Sequence, residues 1–249
     1  MMRRPIFQWS FIFAALLALP AAAQEKSAFT PAQKEQLKVL VREYLLENPE
    51  VLTEAIGKLQ EKEEAKKNAE RAATIAMYKQ DLYTPKENTV IGNLQGDVTI
   101  VEFFDYNCGY CKSMFTDLLA VMKSDGKIKV VTKEFPILGP GSVTASKAAL
   151  AARNQRKYAE FHQALLSYKG AINEAAINTV AKGVGLNVEK LIEDMKDPEL
   201  DKIIDKNRAL AQELGITGTP AMLVGETFVG GAIDKERLTN LVAAARKKS

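Results

Sequence analysis

Phe103-Phe104-Asp105-Tyr106-Asn107-Cys108-Gly109-Tyr110-Cys111-Lys112 is the stretch that decides the fold. It contains both cysteines of the chain, spaced C-x-x-C. The run before it, Val98-Thr99-Ile100-Val101-Glu102-Phe103-Phe104, is almost continuously apolar and rich in β-branched residues, which predicts a buried strand. The run after it, Lys112 to Leu119, is helix-compatible. The order is strand, tight turn, helix, with Cys108 at the helix start. A thiol in that position meets unpaired backbone N–H groups and the positive end of the helix dipole. Both favour the thiolate, which is the nucleophile.

Three readings compete for a C-x-x-C pair. A structural bridge across so short a loop removes little unfolded-chain entropy, so its presence argues for chemistry rather than stability. A zinc site needs about four ligands, and the chain offers one histidine and scattered carboxylates besides the two thiols. A redox dithiol needs nothing more than what is present, and no metal is expected.

Outward from this centre, the chain has 249 residues, 47% apolar and 26% charged, with a formal net charge of +3. That composition is ordinary for a globular protein and gives no argument for nucleic acid. Arg3 and Arg4, the apolar run Trp9 to Leu19 and the small residues Pro20-Ala21-Ala22-Ala23 read as a cleaved signal peptide over 1–23, cut after Ala23. The apolar run is shorter than the ~20 residues a membrane span needs. The expected location is therefore outside the cytoplasm, where disulfides form; the absence of further cysteines and glycosylation sites points to a bacterial periplasm.

Residues 24–59 predict two helices. Thr30, Pro31 and Gln33 form a capping box, and Leu37, Leu40, Val41, Tyr44 and Leu45 fall at helical spacing. Asn48-Pro49 interrupts, with Asn48 as cap of the next helix, whose stripe is Val51, Leu52, Ala55, Ile56 and Leu59. So short a segment cannot bury its own core, and its stripes are expected to pack on copies of themselves. Gln60 to Arg71 is nearly all charge and alanine, and residues 60–85 read as a charged helical linker.

Val90 to Asn93 and Ile128 to Phe135 read as further strands. Residues 142–214 read as an all-helical block. Gly215 to Pro220 breaks it, a hairpin with a Gly225-Glu226 turn follows, and Asp234 caps a last helix. This order predicts an α/β chain with a thioredoxin fold at 86–141 and 215–249. A helical insertion occupies 142–214, and an N-terminal helical segment for oligomerisation leads the fold.

Val101 to Cys111 resembles the active-site strand and turn of the DsbA-like thiol:disulfide oxidoreductases. Gly215-Ile216-Thr217-Gly218-Thr219-Pro220-Ala221 is similar to that family's cis-proline loop, and Tyr158-Ala159-Glu160-Phe161-His162 to its insertion helix. Tyr44 to Leu52 resembles the leading segment of the suppressor-of-copper-sensitivity protein C (ScsC) and Com1-like subgroup.

The resemblance implies roles. Cys108 is the nucleophile and Cys111 the resolving thiol, cycling through a Cys108–Cys111 disulfide with no other cofactor. Thr219 and Pro220 dock substrate, and Glu102 is the proton acceptor for Cys111. Gly109 and Tyr110 set the redox poise, and the absence of histidine between the cysteines points to a less oxidising couple than DsbA itself. His162 and the Met114-Phe115 pair read as core. The implied function is disulfide isomerisation or reduction on exported client proteins, in a homo-oligomer, with a trimer favoured, recharged by a membrane redox partner. A DsbA-like oxidase and a non-enzymatic protein binding Cu(I) for copper tolerance are the alternatives.

Overall fold

A computed structural model describes residues 29–84 and 89–247. The expected signal peptide lies outside the described residues. Two compact units emerge, Met1–Glu61 and Lys62–Ser249.

In the first unit, α1 (Pro31–Glu47) opens with the expected capping box: Gln33 N–H donates to Thr30 Oγ1, and Thr30 N–H donates to Gln33 Oε1 at 2.8 Å. Asn48 does not cap the helix that follows. Its N–H and Nδ2 both donate to the Tyr44 carbonyl at 2.9 Å, satisfying an orphan acceptor at the end of α1 instead. No residue of α1 is buried. Leu37, Leu40, Val41 and Tyr44 on α1, and Leu52, Ile56 and Leu59 beyond it, are all exposed.

The second helix does not stop at Leu59 but runs on without a break through the charged stretch. α2 (Glu50–Met77) is one helix of 28 residues. Charged residues and alanine propagate a helix as well as the apolar stripe does. Nor is 60–85 a bridge along its whole length. Arg71 Nε donates to the Leu214 carbonyl at 3.1 Å and its guanidinium lies 3.8 Å above the Phe228 ring. Ile75, and Leu82 on α3 (Lys79–Tyr83), are buried. Lys133 Nζ donates to the Asp81 carbonyl and Lys129 Nζ to the Tyr83 carbonyl, cations placed on helix C-terminal acceptors.

The second unit is built on five strands: β1 (Val90–Gly92), β2 (Val98–Phe104), β3 (Ile128–Glu134), β4 (Ala221–Val224) and β5 (Thr227–Gly230), in the order β1-β3-β2-β4-β5. β2 and β3 run parallel; the other neighbours are antiparallel. α4 (Gly109–Asp125) is the crossover between β2 and β3. It ends at Gly126, whose φ of +72° suits glycine at the turn.

The helical insertion comprises α5 (Pro140–Ala151), a 3₁₀ turn at Ala152–Gln155, α6 (Tyr158–Ser167), α7 (Glu174–Gly183), α8 (Val188–Asp194) and α9 (Glu199–Glu213). The last helix is α10 (Lys235–Arg246). This is a thioredoxin fold with a helical insertion between β3 and β4, and the N-terminal helical segment precedes it in the chain.

Side chains alternate along β2 and feed two cores. Ile100 and Phe104 pack with residues of α4, α6 and α10, whereas Val101 and Phe103 pack with Ile75, Leu82 and, from α9, Leu210. Glu102 has the parity of Ile100 and Phe104, so it points to the α4 side. No helix among the described residues is long and apolar enough to cross a membrane.

Candidate active site

Cys108 stands at the N-cap of α4 with extended backbone, φ −77° and ψ 115°. Its Sγ accepts the Cys111 N–H at 3.4 Å, taking up one orphan donor of the first turn. The thiol also donates to the Thr219 carbonyl at 3.4 Å. Both cysteines are free thiols; Cys108 is 6% exposed and Cys111 fully enclosed. The Thr219–Pro220 peptide bond is cis. A thiol just reached by solvent, a second thiol fully enclosed and an X-Pro backbone against the first sulfur thus converge from two distant segments. Proline brings no N–H of its own to compete for that sulfur.

Gly109 and Tyr110 lie outside this convergence. A side chain at Gly109 would meet nothing within 4 Å, and Tyr110 is 73% exposed. The dipeptide between the cysteines therefore lines the approach and supplies no charged group.

Glu102 sits on the central strand, between Thr132 on β3 and Met222 on β4. It is fully buried, and neither carboxylate oxygen has a hydrogen-bond partner. Burial raises its pKa to about 8. The Cys111 thiol is held well above the usual thiol range, first by burial and further by the Glu102 charge, although a backbone bond at Asp105 opposes this. The Glu102 carboxyl and the Cys111 thiol are thus both buried, and the charge of the one disfavours ionisation of the other.

The turn before Cys108 is braced residue by residue, which the sequence reading missed. Asp105 accepts from the N–H groups of Asn107 at 2.8 Å, Ile137 at 2.9 Å and Leu138 at 3.0 Å. Asn107 Oδ1 accepts from Ile172 N–H at 2.6 Å, while its Nδ2 donates to Ser142 Oγ and the Ile172 carbonyl. Tyr106 Oη donates to Glu134 Oε1 at 3.0 Å and lies 2.9 Å from His162 Nδ1. Tyr158 Oη donates to the same Glu134 oxygen at 3.0 Å.

Glu134 is fully enclosed, and burial raises its pKa to about 8 despite these hydrogen bonds. Burial lowers His162 to about 3, so the imidazole is neutral. His162 is a core residue, stacked on Tyr158 and edge-on to Phe104 and Phe115. Glu134 carried no comparable signal, because it ends a strand, Ile128-Lys129-Val130-Val131-Thr132-Lys133-Glu134, that already holds two lysines. Asp105 and Asn107 carried the side-chain types that bind turn backbone.

Known proteins are similar to this chain. Residues 99–243 match the family described as DSBA-like thioredoxin domain, and residues 33–66 match the Copper resistance protein ScsC N-terminal domain. A thioredoxin-like oxidoreductase from Silicibacter pomeroyi DSS-3 is 42% identical, with a TM-score of 0.66, covering 68% of this chain and 98% of that one. Proteus mirabilis ScsC in a transitional conformation is 32% identical, with a TM-score of 0.66, covering 89% of this chain and 99% of that one. A Na(+)/H(+) antiporter NhaA of Herminiimonas arsenicoxydans is 25% identical over 200 residues, 79% of this chain but 32% of the antiporter. The chain thus spans about a third of that curated relative. With the thiol pair at the start of α4, the cis Thr219–Pro220 bond beside it and matches along both units, the chain belongs to the DsbA-like thioredoxin-domain family of thiol:disulfide oxidoreductases and carries an ScsC-type N-terminal domain.

Proposed function

We propose that this protein rearranges or reduces disulfides in exported client proteins of a bacterial periplasm, through the Cys108–Cys111 pair. The observation that carries this reading is the Cys108 Sγ at the α4 N-cap, 3.4 Å from the Thr219 carbonyl. The Cys108 thiolate attacks one sulfur of a client disulfide. A Cys108–client bond forms and the other client sulfur leaves as thiolate. In isomerisation, that thiolate attacks elsewhere in the client, and a client thiolate finally displaces Cys108 with no net electron transfer.

In reduction, Cys111 passes its proton to Glu102 and attacks Cys108 Sγ. The client leaves with both thiols, two electrons have passed to it, and Cys108–Cys111 is a disulfide. A dithiol on a membrane redox partner returns the electrons. Thr219 offers backbone to an extended client segment, and Pro220 holds that backbone beside the sulfur. Gly109 and Tyr110 add no cation to stabilise the thiolate, which favours a poise less oxidising than that of a dedicated oxidase.

The exposed stripe of Leu37, Leu40, Val41 and Tyr44 supports self-association, with a trimer favoured. Several Cys108 sites on one assembly raise the local nucleophile concentration around a client. A copper-handling role is the second reading, favoured by the match to the copper resistance ScsC N-terminal domain; two thiolates suffice for Cu(I).

Refolding of scrambled ribonuclease tests the first reading. The full mature chain is expected to restore ribonuclease activity, and a version without residues 24–59 to lose that rescue while still reducing simple disulfides. Cys108→Ser should abolish both, by roughly 10³-fold or more. Rapid oxidation of reduced ribonuclease without rescue of the scrambled form would sink the isomerase reading in favour of an oxidase.

A further inference from the structure

A cleft of about 920 Å³ opens beside the cysteines. Its floor is the outward face of α4, with Gly109, Lys112 and Thr116; its walls are Leu138 on one side and the 166–172 segment on the other. Neither Thr219 nor Pro220 lines it. It therefore borders the start of α4 apart from the cis-proline backbone.

The far wall is fastened in place. Asn107 spends both ends of its amide on the backbone of Ile172, and Lys112 Nζ donates to the carbonyls of Tyr168 and Gly170. Two of the three ammonium protons of Lys112 are used in this way, which leaves one for a ligand. These bonds give a preformed wall, so little ordering remains to be done when something binds.

The lining is basic and partly apolar. Lys112 and Lys169 belong to it, and no aspartate or glutamate does. Leu138 is 54% exposed, and Tyr110 beside Gly109 is 73% exposed. An exposed leucine and tyrosine next to a nucleophile suit polypeptide better than a small polar solute.

We propose that this cleft is a second docking subsite, taking an extended, acidic segment of the client polypeptide next to the disulfide under attack. The proposal rests on the thiol-exchange reading above and names the kind of client sequence that the site prefers. Thr219 provides sequence-independent backbone pairing; the cleft provides side-chain selection through Lys112, Lys169 and Leu138. Charge matching of this kind acts chiefly on the rate of encounter, so the preference belongs to the attack step.

Two peptides test this, each with one internal disulfide, flanked by Asp-Leu-Asp in one and Lys-Leu-Lys in the other. The full mature protein, with Cys108 and Cys111 reduced, converts each peptide to its dithiol and itself to the disulfide; chromatography of the peptide gives the rate. At low salt the acidic peptide is expected to react about fivefold faster. That preference should vanish near roughly 0.5 M salt and shrink or reverse in Lys169→Glu.

Equal rates at low salt, or an undiminished acidic preference in Lys169→Glu, would overturn the subsite while leaving exchange intact. Faster reduction of an oxidised anionic tripeptide thiol than of either peptide would overturn the polypeptide occupant. Reduction of neither peptide would remove the exchange reading itself.

Discussion

Residues 31–59 carry leucines outward, whereas the strands β2 and β3 carry carboxylates inward. Leu40 is 63% exposed and Ile56 56% exposed, while Glu102 and Glu134 are fully enclosed. Each region inverts ordinary burial, and each inversion has a different cost. Exposed apolar surface loses about 25 cal/mol per Å² until a partner covers it. A buried carboxylate loses its hydration and responds by holding its proton. The first inversion leaves a surface for a partner to cover; the second leaves two carboxyls in the core that hold their protons up to about pH 8.

The strongest way to break this contrast is at the exposed stripe. Leu37→Asp with Val41→Asp should leave the fold of each chain intact and weaken self-association by roughly 10³-fold, from the lost burial of two apolar side chains. Light scattering across a dilution series reads this. An unchanged particle mass at micromolar concentration would show that the stripe is not an interface.

Leucines of the two regions should also differ in what they contribute to folding. Leu82→Ala removes a fully buried side chain and is expected to cost about 3 kcal/mol in chemical denaturation of the second unit. Leu40→Ala, made at the exposed stripe, should leave that transition within about 0.5 kcal/mol.

Next comes the carboxylate under the thiols. Glu102→Gln keeps the shape but cannot take a proton, so release of the client from Cys108 should slow by roughly 10²-fold. The pH–rate profile should lose the ionisation near 8 assigned to Glu102. A normal profile in Glu102→Gln would leave that carboxylate a structural residue.

The smallest effect is on stability against pH. Glu134 ionises near 4.5 in the unfolded chain and at about 8 in the folded one. Between those values the folded protein keeps a proton that the unfolded chain has released. Stability therefore falls as pH rises from about 4.5 to 8 and levels above that. Glu134→Gln, which retains an acceptor for Tyr106 and Tyr158, should remove about half of this slope, the other half being the matching shift of Glu102, and stabilise the protein at pH 8 relative to the parent. An unchanged slope would place the titration elsewhere.

Much was legible in the sequence because it depends on local periodicity and local backbone chemistry. The apolar run Val98 to Phe104 is strand β2, Tyr158 to Ser167 is helix α6, Asp234 caps α10, and the C-x-x-C pair opens α4. The capping box at Thr30 follows from three residues alone. Where contacts are long-range, the sequence was mute or misleading. Arg71, Ile75 and Leu82 sit in a stretch whose composition reads as a linker, yet they meet Leu214, Phe228 and the far side of the sheet. A few apolar residues spaced among charges are invisible as a stripe but sufficient as anchors.

The sequence by itself determined the dithiol, its place at a helix N-terminus and the order of elements around it, since all of these are set within a few residues. Tertiary structure alone decided what surrounds the thiols. It brought Thr219 to 3.4 Å from Cys108, turned Glu102 toward α4 without a partner, and gathered Tyr106, Glu134, Tyr158 and His162 under the active-site turn. Burial and hydrogen-bond satisfaction belong to no residue separately. They arise only when segments distant in the chain exclude water together, and they set the proton affinities on which the exchange chemistry of Cys108 and Cys111 depends.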